Sequence, residues 1–96
     1  WYHQAVQDLF RKHVPDSYTV ITAHQDDLAE LSTVKAMVLT NQPTIARSVV
    51  TKLQHALTEK FSRQRVTITV HSAINNDDGE WKYQIPVTVT VAKRED

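Results

Sequence analysis

From Trp81 to Val91 every second residue is large and apolar: Trp81, Tyr83, Ile85, Val87, Val89 and Val91 alternate with Lys82, Gln84, Pro86, Thr88 and Thr90. Successive side chains of a strand point to opposite faces, so a period of two places those residues on one face of a long extended segment. That face must be covered by a second layer, and the rest of the chain has to supply it. Pro86 points the other way and has no N–H for a ladder. The strand is therefore expected at a sheet edge, or bulged at that residue.

The segment Arg65 to His71 (RVTITVH) alternates as strictly. Between the two runs, Asn75-Asn76-Asp77-Asp78-Gly79 tolerates left-handed backbone, which predicts a hairpin. Tyr18 to Ala23 is rich in β-branched and aromatic residues and predicts a first strand. His24 to Glu30 is polar and reads as a turn, or as a single helical turn. Leu31 to Thr40 predicts a second strand, with Thr33, Lys35 and Met37 on one face and Val34, Ala36 and Val38 on the other. The first two strands suggest an antiparallel hairpin.

Two segments instead carry a helical period. Tyr2, Ala5, Val6, Leu9, Phe10 and Val14 form one apolar stripe, ended by Pro15. Ile45, Val49, Leu53, Ala56, Leu57 and Phe61 form another, with Arg47, Lys52, His55 and Glu59 largely off it. Asn41-Gln42-Pro43 suits its first turn, where proline has no intrahelical bond to lose. Lys93 to Asp96 is expected to be a frayed tail. The predicted class is α+β: a two-layer sandwich in the order α-β-β-α-β-β, with two helices on one face of a four-stranded mixed sheet. A right-handed crossover between the second and third strands gives the strand order 2-1-3-4. Residues 1–96 make a single domain, long enough for one modest core.

Composition narrows the chemistry. The 41% hydrophobic and 23% charged shares are those of a folded globular chain. Eleven basic against eleven acidic residues give zero formal charge, which argues against bulk attraction to phosphate backbones. Without cysteine there is no disulfide, thiolate zinc site or thiol nucleophile, and a single glycine leaves no phosphate-cradling loop. The five histidines, His3, His13, His24, His55 and His71, fall on separate elements without a close ligand pair. His24 with Asp26 and Asp27 is a metal site only if another element adds ligands. Asn75 to Asp78 offers oxygen donors without EF-hand spacing. A pair of His71 with Glu80 across the last hairpin reads as solvent-facing residues rather than an acid–base couple. The expectation is a non-catalytic chain with no cofactor and no metal. Lys60, Arg63 and Arg65, joined by Lys52, form a basic patch at the end of the long helix. They define an alternative reading as a small nucleic-acid-binding module. Trp81 and Tyr83 share a face with Ile85 and Val87, which assigns them to the core rather than to base stacking.

The chain contains no apolar run near the roughly 20 residues of a spanning helix. Trp1 and Tyr2, followed by Arg11 and Lys12, match the aromatic and basic residues that trail a transmembrane segment. The plainer reading is that Trp1 and Tyr2 pack one end of the first helix onto the sheet. The stretch Val34 to Val70, with Ala36 and Val38, then Gln42-Pro43, then Val49, Leu53 and Leu57, and a closing RVTITV, resembles the soluble C-terminal region of an uncharacterised hydrophobic-domain family of bacterial membrane proteins. The αββαβ arrangement is also similar to the cytosolic domain of cation diffusion facilitators. The chain departs from the facilitators in lacking paired metal-binding histidines on its second strand and long helix, and in adding a fourth strand. The resemblance implies an accessory or oligomerisation domain of a larger, membrane-anchored protein, at the cytoplasmic face of the bacterial cell membrane. Its implied partners are copies of itself or the rest of its own polypeptide. An exposed edge of the second or fourth strand is the expected contact, with Lys82 and Pro86 as features that oppose it.

Overall fold

The apolar stripe at the start of the chain folds as helix α1, Tyr2–His13, with Arg11, Lys12 and His13 in its last turn, where cations favour the helix dipole. Asp16, at φ 55°, makes the tight reversal after Pro15, a left-handed conformation that aspartate tolerates better than most residues. The Ser17 hydroxyl donates to the Val14 carbonyl across that turn, at 2.7 Å. Strand β1, Ser17–Asp27, and strand β2, Leu31–Thr40, follow. Helix α2, Arg47–Lys60, leads to β3, Gln64–Val70, the short β4, Ile74–Asn75, and β5, Tyr83–Lys93. The computed structural model describes residues 2–27, 31–77 and 79–93.

The fold is α+β, with two helices and an antiparallel sheet of five strands among the described residues. Its order, β1-β2-β5-β3 with β4 also on β5, differs from the expected mixed sheet of order 2-1-3-4. The last strand inserts between β2 and β3. Those two run parallel without touching, and every observed ladder is antiparallel, the better-paired geometry per residue.

Pro86 therefore lies in the middle of the sheet, opposite Met37 of β2, and not at an edge. Nor is β5 itself bulged at Pro86, since its register with β2 runs unbroken; the irregularity that accommodates the proline lies in the neighbouring β3–β4 segment. Val70 pairs with Val87 and Ile74 with Gln84, so three residues of the β3–β4 side face two of β5. The His71 N–H donates to the Pro86 carbonyl at 2.9 Å, which shows that the side of Pro86 lacking an N–H faces this irregularity. β1 has its own register shift between Ile21 and Ala23, where the Thr22 hydroxyl donates to the Lys35 carbonyl.

Two boundaries also move. His24 to Asp27, expected as a turn, extends β1 and pairs with Leu31 to Val34, while Leu28 to Glu30 lie outside the described residues. The second helix starts at Arg47 rather than at Pro43. Its N-cap, Ala46, has an extended backbone and no side-chain oxygen to cap the free N–H groups.

The core lies between the helices and one sheet face. Val6 and Phe10 of α1 and Leu53 and Leu57 of α2 pack with Val34, Val38, Val66, Ile85, Val87, Val89 and Val91. Trp81 and Tyr83 are only half-buried and stand outside that cluster, contrary to the core assignment. Tyr2 packs edge-on to Phe61 with ring centroids 4.9 Å apart, and its hydroxyl accepts from Gln64. The helix end is thus packed at residue 2, whereas Trp1 lies outside the described residues. No helix among the described residues is long and apolar enough to cross a membrane.

Candidate functional site

The helices cover one face of the sheet, and no described element covers the other. Strand register sorts that open face into two halves. At one end, Tyr18 and Leu39 line up with Gln84 and Ile74, and Val20 with Met37 and Pro86. At the other, Lys35 lies beside Thr88 and Thr69, Thr33 beside Thr90 and Thr67, and Leu31 in line with Ala92 and Arg65. The first half is apolar, with Tyr18 47%, Val20 36% and Ile74 52% exposed. The second is dominated by threonine. A contiguous apolar patch of this kind marks a contact surface more often than isolated exposed side chains do.

Both strand edges are partly closed by the helix layer. In the β1–β2 ladder the Thr19 carbonyl points outward, and it accepts the Gln7 amide of α1 at 3.3 Å. On the opposite edge the Val66 carbonyl accepts the Gln54 amide of α2. The Arg11 guanidinium lies 4.9 Å from the centroid of the Tyr18 ring, so it reaches from the helix layer past the β1 edge. The exposed edges belong to the first and third strands; the second and fourth predicted strands, β2 and β5, are interior. Lys82 precedes β5, and its N–H donates to the Asn41 side chain.

A polar cluster occupies the far end of β1. His3 of α1 and His24 of β1 bring their rings to 5.1 Å, a juxtaposition that their sequence separation conceals. His24 Nε2 lies 3.1 Å from Asp26 Oδ1, and the Ser32 hydroxyl donates to the same carboxylate oxygen. The Ser32 hydrogen bond, the largest influence, holds the Asp26 carboxyl below its usual pKa; partial desolvation opposes this, and the charge of His24 adds to it. Two histidines and one carboxylate are thus neighbours, yet among the described residues no group of His, Cys, Asp and Glu has the arrangement to hold a metal ion.

The basic candidates separate. Lys52 and Lys60 line a groove of about 510 Å³ between α1 and α2, which also gathers Lys12, His13, His55 and Glu59. Arg63 lies in the turn after α2, and Arg65 pairs with Ala92 on the open sheet face, away from the groove. The sequence neighbourhood of Lys60, Arg63 and Arg65 suggested one patch, but Arg65 lies on the sheet face opposite the helices that carry Lys52 and Lys60. Lys12 and His13 were not linked to Lys52 in sequence because only helix packing joins them. His71 takes the Thr88 hydroxyl as its partner at 3.0 Å, across the β3–β5 ladder. The chain matches no family model, no curated protein and no solved structure among those with which it was compared.

Proposed function

We propose that this is a non-catalytic self-association domain of a larger protein. The observation that carries the reading is the uncovered sheet face with its exposed Tyr18, Val20 and Ile74. A two-layer domain that leaves an apolar sheet face in water gains free energy when a partner removes it. The resemblance of Val34 to Val70 supports a membrane-anchored bacterial parent, with the domain at the cytoplasmic face. Size-exclusion chromatography with light scattering tests the association itself. The expected mass rises above the 11.0 kDa of one chain as concentration increases, and a constant 11.0 kDa up to millimolar concentration rejects it.

The groove between α1 and α2 favours a second reading, contact with a nucleic-acid backbone. Lys12, Lys52 and Lys60 have no acidic partner among the described residues, and Glu59 is the one acidic residue of the lining. Binding through so few lysines would weaken as salt rises, and an RNA titration at low ionic strength with no response rules it out.

A further inference from the structure

We infer that a second copy of this chain docks face to face on the open sheet, about a two-fold axis next to Met37; the inference rests on the self-association reading. Three observations lead from the bare face to that occupant and that position. The first concerns the edges. Joining two sheets through β1 or β3 requires outward-facing backbone groups to be free, and one carbonyl on each edge is already taken, Thr19 by Gln7 and Val66 by Gln54. The register shift after Ile21 further breaks the regular edge of β1. Contact through the face needs none of these groups.

The second observation is charge. A two-fold interface sets a surface against itself, so any side chain on the axis meets its own copy. Lys35 and Arg65 belong to the threonine half of the face, where Asp27 also holds a register position, in the row of Leu31, Ala92 and Arg65. An axis at Lys35 would set that ammonium group against its own copy. Val20, Met37 and Pro86 carry no charge and can meet their own copies, which draws the axis to their row. The chain as a whole has zero formal charge, so long-range repulsion between copies is small.

The third observation is area. Strands about 4.8 Å apart and residues rising about 3.3 Å make four strands of ten residues roughly 600 Å² in projection. The molecule measures 45 × 25 × 20 Å. Two such faces approach the roughly 1,200 Å² at which specific interfaces begin, whereas the apolar rows alone supply about half of that. The threonine rows must therefore take part, with Lys35 extended to the rim, and the dimer is expected to be weak, with a Kd of about 10–100 μM.

Sedimentation equilibrium of the wild type, Met37→Asp, Met37→Thr and Gln7→Ala tests this. Met37→Thr matches the neighbouring threonines, so it keeps the strand even if Met37→Asp fails to fold, with circular dichroism and thermal unfolding reporting on fold. The expected result is a wild-type dimer, about tenfold or weaker association for each folded Met37 variant, and wild-type association for Gln7→Ala. A dimer unchanged by the Met37 variants but strengthened by Gln7→Ala points to the β1 edge and overturns the inference while self-association stands. A dimer insensitive to all three also overturns it. A wild type that stays monomeric removes the self-association reading and the inference together.

Discussion

Thr19 and Thr40 allow the same substitution to be made twice with opposite expected signs. Both are β-branched, both point into the core from adjacent strands, and both are buried, Thr19 completely. The Thr19 hydroxyl has no hydrogen-bond partner among the described residues, since Gln7 donates to the Thr19 main-chain carbonyl instead. The Thr40 hydroxyl accepts the Gln42 N–H at 3.2 Å. A buried hydroxyl without a partner costs about 1–3 kcal/mol by mutational measures. Replacing it by a methyl group removes that cost and adds up to about 0.8 kcal/mol of apolar burial. Some of this gain is lost in fitting the methyl group, so Thr19→Val is expected to stabilise the domain by about 1–2 kcal/mol. For a chain of this size that raises Tm by about 4–16 °C. Thr40→Val leaves the Gln42 N–H without its acceptor and is expected to destabilise by about 0.5–1.5 kcal/mol. Urea unfolding of dilute protein measures both, with unchanged m values showing that the two-state comparison holds. Thr19→Val at or below wild-type stability, or both variants shifting in the same direction, would refute the reasoning.

Four further outcomes follow from packing, backbone pairing and the Asp26 cluster. Leu53, nearly inaccessible at 1% exposure, fills the centre of the helix layer, so Leu53→Ala should cost about 2–5 kcal/mol, measured by the same unfolding curve. Thr88→Pro should cost about 3 kcal/mol or more, because its N–H faces the regular β3 ladder opposite Thr69. Pro86→Ala should change stability by about 1 kcal/mol or less, because the missing N–H faces the bulge. Asp26 has a lowered pKa in the folded chain, so it contributes stability above its unfolded pKa and loses that contribution as pH falls through the lower folded value. Ser32→Ala removes the main cause, so the loss of stability below about pH 4 should become shallower; an unchanged acid limb in pH-dependent unfolding contradicts the assignment.

Element types were legible because each depends on a local period. The stripe of Leu53 and Leu57 and the alternation of Ile85, Val87, Val89 and Val91 mark buried faces, and those residues are core residues in the fold. Weakly patterned segments were not legible. His24, Gln25, Asp26 and Asp27 have the composition of a turn, yet their backbone groups pair with Leu31 to Val34, and that pairing outweighs their low strand preference. The same limit applied to the sites. Lys52 and Lys60 share a helix and share a groove, but Arg65 lies on the opposite side of the sheet, and His3 meets His24 only because α1 packs along β1.

By itself, then, the sequence determined two amphipathic helices, four of the five strands and most of the side chains that face the core, Trp81 and Tyr83 excepted, since burial of an apolar stripe is dictated residue by residue. Strand order was decided by the tertiary structure. An alternating strand reads the same at the centre of a sheet as at its edge, and Pro86 argued for the edge. Its neighbour could absorb the missing hydrogen bond with a bulge at His71 to Ala73, which let β5 enter between β2 and β3 and keep every ladder antiparallel. That choice made β1 and β3 the edges and brought Met37 beside Pro86 on a face that nothing in the described chain covers, a consequence of pairings between residues far apart in sequence that no local pattern encodes.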